Sequence, residues 1–312
     1  MLCFDKLKII TSIDYINDFN NKYFQSVYKD NILQYYKYQQ KQPYSLLIMV
    51  NYEHNELVIE FTSKILKDNC RNLININTIQ ECFININNLN ICMLDIDKIL
   101  NHSEVYKCDI TKDIIYHDFK ELEKHIKTNL TNYNKWVCKN YKDGFVLENI
   151  VGTSRYKKRI SVYNKDKELK RANNQSFINS LSNKEDVLSY FNDKIRIEHN
   201  INTKSQIKHF LNITDNQLMN VLNSESNPIK AVIDEAVKEI KINTSHNQTI
   251  KGYHYELTLK DCNYDLKQVE MKIRSLCSKN TSITKMMKPY KELYYQLQNN
   301  IISTIEFKQL IA

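Results

Sequence analysis

The spacing of apolar residues changes once along this chain, and that change restricts the fold more than any single motif does. Up to about residue 200 they recur mainly at every second position, as in strands with one buried face; after Asn202 the spacing becomes helical. Three glycines (Gly144, Gly152, Gly252) and three prolines (Pro43, Pro228, Pro289) are the only strong punctuation, so boundaries must be taken from the period itself. Segments 45–52, 57–63, 105–111, 135–140, 145–151, 158–165 and 194–200 read as strands, and 78–89 and 117–130 read as helices. This pattern predicts an α+β fold, an antiparallel-rich sheet with helices on one face. The order strand, strand, helix, strand in the first 115 residues recurs later and suggests a duplicated unit.

Beyond residue 202 the expectation is all-α. Segments 205–211 and 215–222 form two short helices about a polar turn, with Thr214 or Asp215 as N-cap. Pro228 opens a helix at 229–242, a polar linker follows at 243–249, and helices cover 266–277 and 288–298. The chain is thus divided into an α+β unit, 1–202, and a helical accessory region, 203–312.

No apolar run reaches the roughly 18 residues a spanning helix needs, and the amino terminus has no signal-peptide pattern, so a cytosolic protein without a membrane is expected. Eight cysteines are scattered without a Cys-x-x-Cys pair or a histidine cluster at zinc spacing, which fits reduced thiols. The formal charge of +8 favours polyanionic partners. Eight of the residues in 155–171 are basic: Arg155, Lys157, Lys158, Arg159, Lys165, Lys167, Lys170 and Arg171. Such a stretch binds phosphate backbones by releasing counterions.

Side-chain alternation assigns each strand two faces. Ile160 and Val162 point one way; Arg159, Ser161, Tyr163 and Lys165 point the other. Leu57, Ile59 and Phe61 oppose Glu60 and Thr62, while Lys107, Asp109 and Thr111 share a polar face, as do Arg196 and Glu198. If these strands share a sheet, Glu60, Asp109 and Glu198 converge near Tyr163. Carboxylates of this kind hold Mg2+ or Mn2+, which would polarise a scissile phosphate while Lys165 or Arg196 supports the phenolate. Charges on the solvent side of half-exposed strands also arise without any chemistry.

Four blocks in order resemble the gene II/X replication-protein family of filamentous phages and related plasmids. They are Leu57-Val58-Ile59-Glu60-Phe61-Thr62-Ser63-Lys64-Ile65-Leu66, Cys108-Asp109-Ile110-Thr111-Lys112-Asp113, residues 153–169, and Ile195-Arg196-Ile197-Glu198. The resemblance covers roughly residues 45–225. It implies that Tyr163 nicks one strand at a replication origin and becomes joined to the 5′ phosphate, and that Glu60, Asp109 and Glu198 bind the metal. Lys165 and Glu168 match the tyrosine block. It also implies origin DNA, supercoiled or single-stranded, as partner, a host helicase loaded at the nick, and the cytoplasm of a bacterial host. The chain departs from many rolling-circle nucleases in having no His-hydrophobe-His pair; His254 stands alone, and His199 is a further candidate ligand.

Two other readings compete. A regulator without catalysis would use 203–223 as a helix-turn-helix. A mobilisation relaxase would share the tyrosine chemistry. Tyr156 is the candidate for a second tyrosine in termination.

Overall fold

Ten strands join in one antiparallel sheet whose order repeats the same path twice. In the computed structural model, which describes residues 1–20, 22–116, 118–128, 130, 135–150, 156–237, 249–262, 265–277, 282–299 and 303–312, the chain starts at the centre with β1 (Phe4–Thr11). After β2 (Ile16–Phe19) it reaches one edge at β3 (Gln25–Lys29) and walks back through β4 (Ile32–Gln40), β5 (Leu46–Asn51) and β6 (Glu56–Thr62), which pairs with β1. After β7 (Cys92–Leu94), the partner of β2 in a separate small sheet, it returns to the centre as β8 (Glu104–Ile115) beside β1. It then reaches the other edge at β9 (Trp136–Tyr141) and walks back through β10 (Gly144–Asn149), β11 (Arg159–Asn164) and β12 (Lys194–Ile201) to pair with β8. The repeated unit is therefore one strand followed by four returning strands, larger than the expected strand-strand-helix-strand.

The apolar alternation explains which face is covered. Leu7 and Ile9, Ile48 and Val50, Ile59 and Phe61, Cys108 and Ile110, Ile160 and Val162, and Ile195 and Ile197 all enter one core. Onto it pack α1 (Ile79–Asn87), α2 (Ile96–His102) and α3 (Phe119–Thr128). The other face is open except at one end, where the 3-10 segment Ser63–Asn72 meets α4 (Lys165–Leu169), α5 (Gln175–Asn179) and α6 (Lys184–Phe191). These carry a small core of their own, built from Cys70, Leu169, Phe177, Ile178, Leu181, Val187 and Phe191.

The main core continues across the expected boundary at 202/203. In α7 (Lys204–Leu211), capped by Thr203, and in α8 (Leu218–Leu222) and α9 (Pro228–Ala236), residues Ile207, Leu211, Leu218, Val221, Val232 and Ile233 pack into the sheet's core. Pro228 sits in the first turn of α9, as its fixed φ favours. Asp215 does not cap α8; its carboxylate accepts from Gln217 N and Asn220. A third core joins α10 (Ile250–Asp261), α11 (Leu266–Leu276) and α12 (Ile283–Asn299) through Leu259, Val269, Ile273 and Met287. Finally α13 (Ser303–Leu310) returns Phe307 to the main core. The expected linker falls largely outside the described residues, as do Val151 of the expected fifth strand and residues 238–242 of the expected helix at 229–242. No helix among the described residues is long and apolar enough to cross a membrane.

Candidate active site

Tyr163 lies near the end of β11, where strand gives way to helix. Asn164 caps α4 by accepting from Lys167 N at 2.9 Å. The turn brings Lys165 and Glu168 onto the same side of α4, and their 2.7 Å ion pair sits beside the tyrosine, with Lys165 Nζ 5.7 Å from the ring centroid. This is the physical content of the spacing Tyr-x-Lys-x-x-Glu. Lys165 is 5 % exposed, so it shapes the field around the ring and does not meet a substrate directly.

Strand pairing sets the rest. Tyr163 pairs with Arg196 on β12, and Arg196 pairs with Asp113 on β8; in the next row Ser161, Glu198 and Thr111 align. The Tyr163 hydroxyl donates diagonally to Glu198 Oε1 at 2.6 Å. Arg196 is 1 % exposed and uses its whole guanidinium. Nε and Nη2 donate to the two oxygens of Asp113 at 2.7 and 2.8 Å, and Nη1 donates to Asp5 at 2.6 Å. Asp5 also accepts from Ser63 Oγ at 2.7 Å. The guanidinium lies 5.5 Å from the Phe191 ring, so the small core over this end of the sheet shields it from solvent.

These contacts set the protonation of the site. Burial alone would raise the Asp5 carboxyl, but Arg196, Lys165 and the Ser63 hydroxyl outweigh it and hold it below the ordinary range. Burial opposes the charge on Arg196 too, and Asp113 and Asp5 overcome it, so the guanidinium stays protonated. At Glu198 the balance goes the other way: burial, then Asp5, outweigh Arg196, the Tyr163 hydrogen bond and Lys165 and push it up to about 7. Burial, then Glu198, push Tyr163 well above 10, so its resting form is the neutral phenol. A phenol donating to a carboxyl that titrates near neutrality is a proton donor with its acceptor in place.

The half-buried tyrosine forms part of the wall of a cleft of about 280 Å3, together with Tyr141, Gly144, Ser161, Arg159, Arg171 and Glu198. Gly144 pairs with Tyr163 across β10 and β11, and a Cβ there would lie 2.5 Å from Val162 O and 2.6 Å from Tyr163 Cβ. Glycine is needed at this point for the close approach of the two strands.

The acids expected to share a metal do not meet as one set. Glu198 is at the phenol. Asp109 lies on the same face in another row, accepting from Asn200 Nδ2 at 2.8 Å, with burial raising its carboxyl. Glu60 is four strands across from β11 and lies in the row of Lys107, not that of Asp113, which puts it about 28 Å from Tyr163 at the usual spacings; it is paired with Lys6 and lies 4.0 Å from Lys8. The nearer acids, Asp5 and Asp113, are taken up by Arg196, so the donors around the phenol do not fit a divalent ion. Among the described residues no group of three His, Cys, Asp or Glu is placed to hold one. His199 faces the core, edge-on to Phe210 at 4.6 Å, and burial pushes it down to about 4.

Most cations of the basic stretch have partners. Lys157 pairs with Glu148, Lys158 with Glu235, Lys170 with Asp166 and Arg171 with Asp143, while Arg159 donates to Asn200. Lys167 is exposed, and Arg155 lies outside the described residues. Of the described residues of this set only Arg159 and Arg171 line the cleft. Tyr156 stacks on His209 at 4.3 Å, on the side of the sheet where Phe210 meets His199.

Asp5, Asp113, Ser63 and Asn174, which accepts from Lys64 and donates to Glu168, complete the site and were not singled out from sequence as site residues. Asp113 lay within reach of the same alternation, two residues past the strand expected at 105–111. In comparisons with known proteins, no family model matches the chain, and no curated protein gives a significant match.

Proposed function

We propose that this protein is a DNA strand transferase that initiates rolling-circle replication, with Tyr163 as nucleophile and Glu198 as its proton acceptor. One observation carries the reading: the Tyr163 hydroxyl, at the wall of an open cleft, donates at 2.6 Å to a carboxyl that titrates at about 7. The phenolic oxygen attacks phosphorus and its proton passes to Glu198. The bond from phosphorus to the 3′ oxygen breaks, and that oxygen takes a proton from solvent and leaves as a free 3′ hydroxyl. The strand's 5′ phosphate is then an ester of Tyr163, and attack by a 3′ hydroxyl reverses the step without an external energy source. Arg159 and Arg171 are the cations at the cleft to meet the phosphate. Arg196 and Lys165 act from beneath, as a fixed positive field that favours the developing phenolate. Origin DNA is the substrate in this reading, and a host helicase acts at the exposed 3′ end.

The reading is tested by incubating the protein with a pool of random-sequence single-stranded oligonucleotides and divalent salt, then separating detergent-stable adducts and locating the linked peptide by mass spectrometry. The expected adduct is on Tyr163 and is absent from Tyr163→Phe. Equal adduct from Tyr163→Phe, or none from the wild type, overturns it.

A further inference from the structure

The open sheet face has a second feature, at the end away from Tyr163. Between Lys8 and Ile9 the pairing of β1 with β8 shifts: Lys8 pairs with Lys107, but Ile9 pairs with Val105. Tyr106 is the extra residue, and a bulge of this kind re-aims a side chain. The result is an exposed ring, 37 % accessible, with Lys8 Nζ and Lys204 Nζ 5.8 and 5.7 Å from its centroid.

The charges around that ring are not balanced within the chain. Lys8 and Lys107 stand directly opposite each other, an arrangement that costs stability in an antiparallel pair. Glu60 is shared by Lys6 and Lys8, and Glu104 pairs with Lys204. Among the described residues Lys107 has no ion-pair partner. An aromatic ring in a cluster where lysines outnumber carboxylates, with Lys107 unpaired, suits a flexible polyanion whose bases can stack while its phosphates take the lysines.

The position relative to the cleft fits one strand reaching both. Lys107, Asp109, Thr111 and Asp113 alternate along β8 on the face that carries Glu198 and Tyr163, and Asp113 lies in the tyrosine's row. Six residues along the strand and two strand spacings across put the bulge about 22 Å from Tyr163.

We propose that Tyr106 with Lys8, Lys107 and Lys204 is a second nucleic-acid contact, which grips the DNA segment flanking the one in the Tyr163 cleft. This rests on the reading of the chain as a DNA-processing protein. The test is fluorescence anisotropy of a fluorescein-labelled single-stranded oligonucleotide across a salt series. The double variant Lys8→Gln, Lys107→Gln should lower the slope of log affinity against log salt by about 1.4, at about 0.7 per phosphate contact. Tyr106→Ala should weaken binding about tenfold through lost stacking. Lys288→Gln, an exposed lysine of α12 with 76 % of its side chain accessible, should change neither. Adduct yield at saturating DNA should stay at the wild-type level in all three. If the wild type binds and the bulge variants keep its slope and affinity, this contact is refuted and the Tyr163 reading stands. If the wild type binds no oligonucleotide, both fall.

Discussion

Replacing Glu198 by glutamine should change how stability depends on pH, independently of any activity. Burial and the neighbouring Asp5 raise its carboxyl from 4.5 to about 7. Between these values the folded chain holds a proton that the unfolded chain releases. The associated stability is therefore fully present below about pH 4.5 and is lost as pH rises through about 7. At 1.36 kcal/mol per pKa unit the full effect is about 3 kcal/mol, of which about 2.5 kcal/mol falls between about pH 5 and pH 8. Glu198 is partly open to the cleft, so solvent screening brings the observable nearer to about 2 kcal/mol. Glutamine keeps an acceptor for the Tyr163 hydroxyl and stays neutral throughout. The stability of Glu198→Gln minus that of the wild type should therefore rise by about 2 kcal/mol from about pH 5 to pH 8. Trp136, the single tryptophan and 3 % exposed, gives the fluorescence signal for denaturant titrations at each pH. A difference that stays flat with pH, or falls, would refute the placement of a proton acceptor at this site.

Other perturbations separate support from chemistry. Asp113→Asn strips the bidentate partner from a guanidinium that is 1 % exposed and should cost about 3–5 kcal/mol, measured by denaturant midpoint; a loss below about 1 kcal/mol would show that the pair is not buried in solution. Gly144→Ala must displace β11 and should lower stability by about 1–3 kcal/mol; an unchanged midpoint contradicts the close approach. Adduct formation should rise with pH and level off above about 7, since the carboxylate form of Glu198 must receive the proton; a rate that falls over that interval assigns the proton transfer elsewhere. Glu60→Gln, about 28 Å from the tyrosine by strand spacing and register, should leave the adduct rate at the wild-type level, and a loss of tenfold or more would return that acid to the chemistry.

The second half of the sheet was readable because its strands alternate cleanly: Ile160 and Val162 against Ser161 and Tyr163, and Ile195 and Ile197 against Arg196 and Glu198. What alternation does not give is lateral order. It put Glu60 on the correct face, yet nothing in the local pattern said that β1 and β8 would lie between β6 and β12. β1 itself escaped notice because a register shift at Phe4/Lys6 makes Asp5 an extra residue, so Phe4 falls out of the period of two that Leu7, Ile9 and Thr11 keep. With that strand unseen, Asp5 was unseen as well. β4 was hidden for a different reason, since Tyr35, Tyr36 and Tyr38 leave none of its residues fully buried. The small helices α4 to α6 fold around Phe177, Ile178 and Phe191, too short a stretch each for helical spacing to stand out.

Arg196 ties together parts of the chain that are far apart in order: Asp5 from the first strand, Asp113 from the eighth, and its own strand near residue 200. The electrostatic setting of Tyr163 is thus a property of the seam where the two five-strand halves meet. A polypeptide cut between those halves would keep Tyr163, Glu198, Arg196 and Asp113 together but lose Asp5, which shares the guanidinium and, after burial, does most to raise the Glu198 carboxyl. The pH at which Glu198 gives up its proton would fall on separation and recover on re-association, so it would report whether both halves have docked.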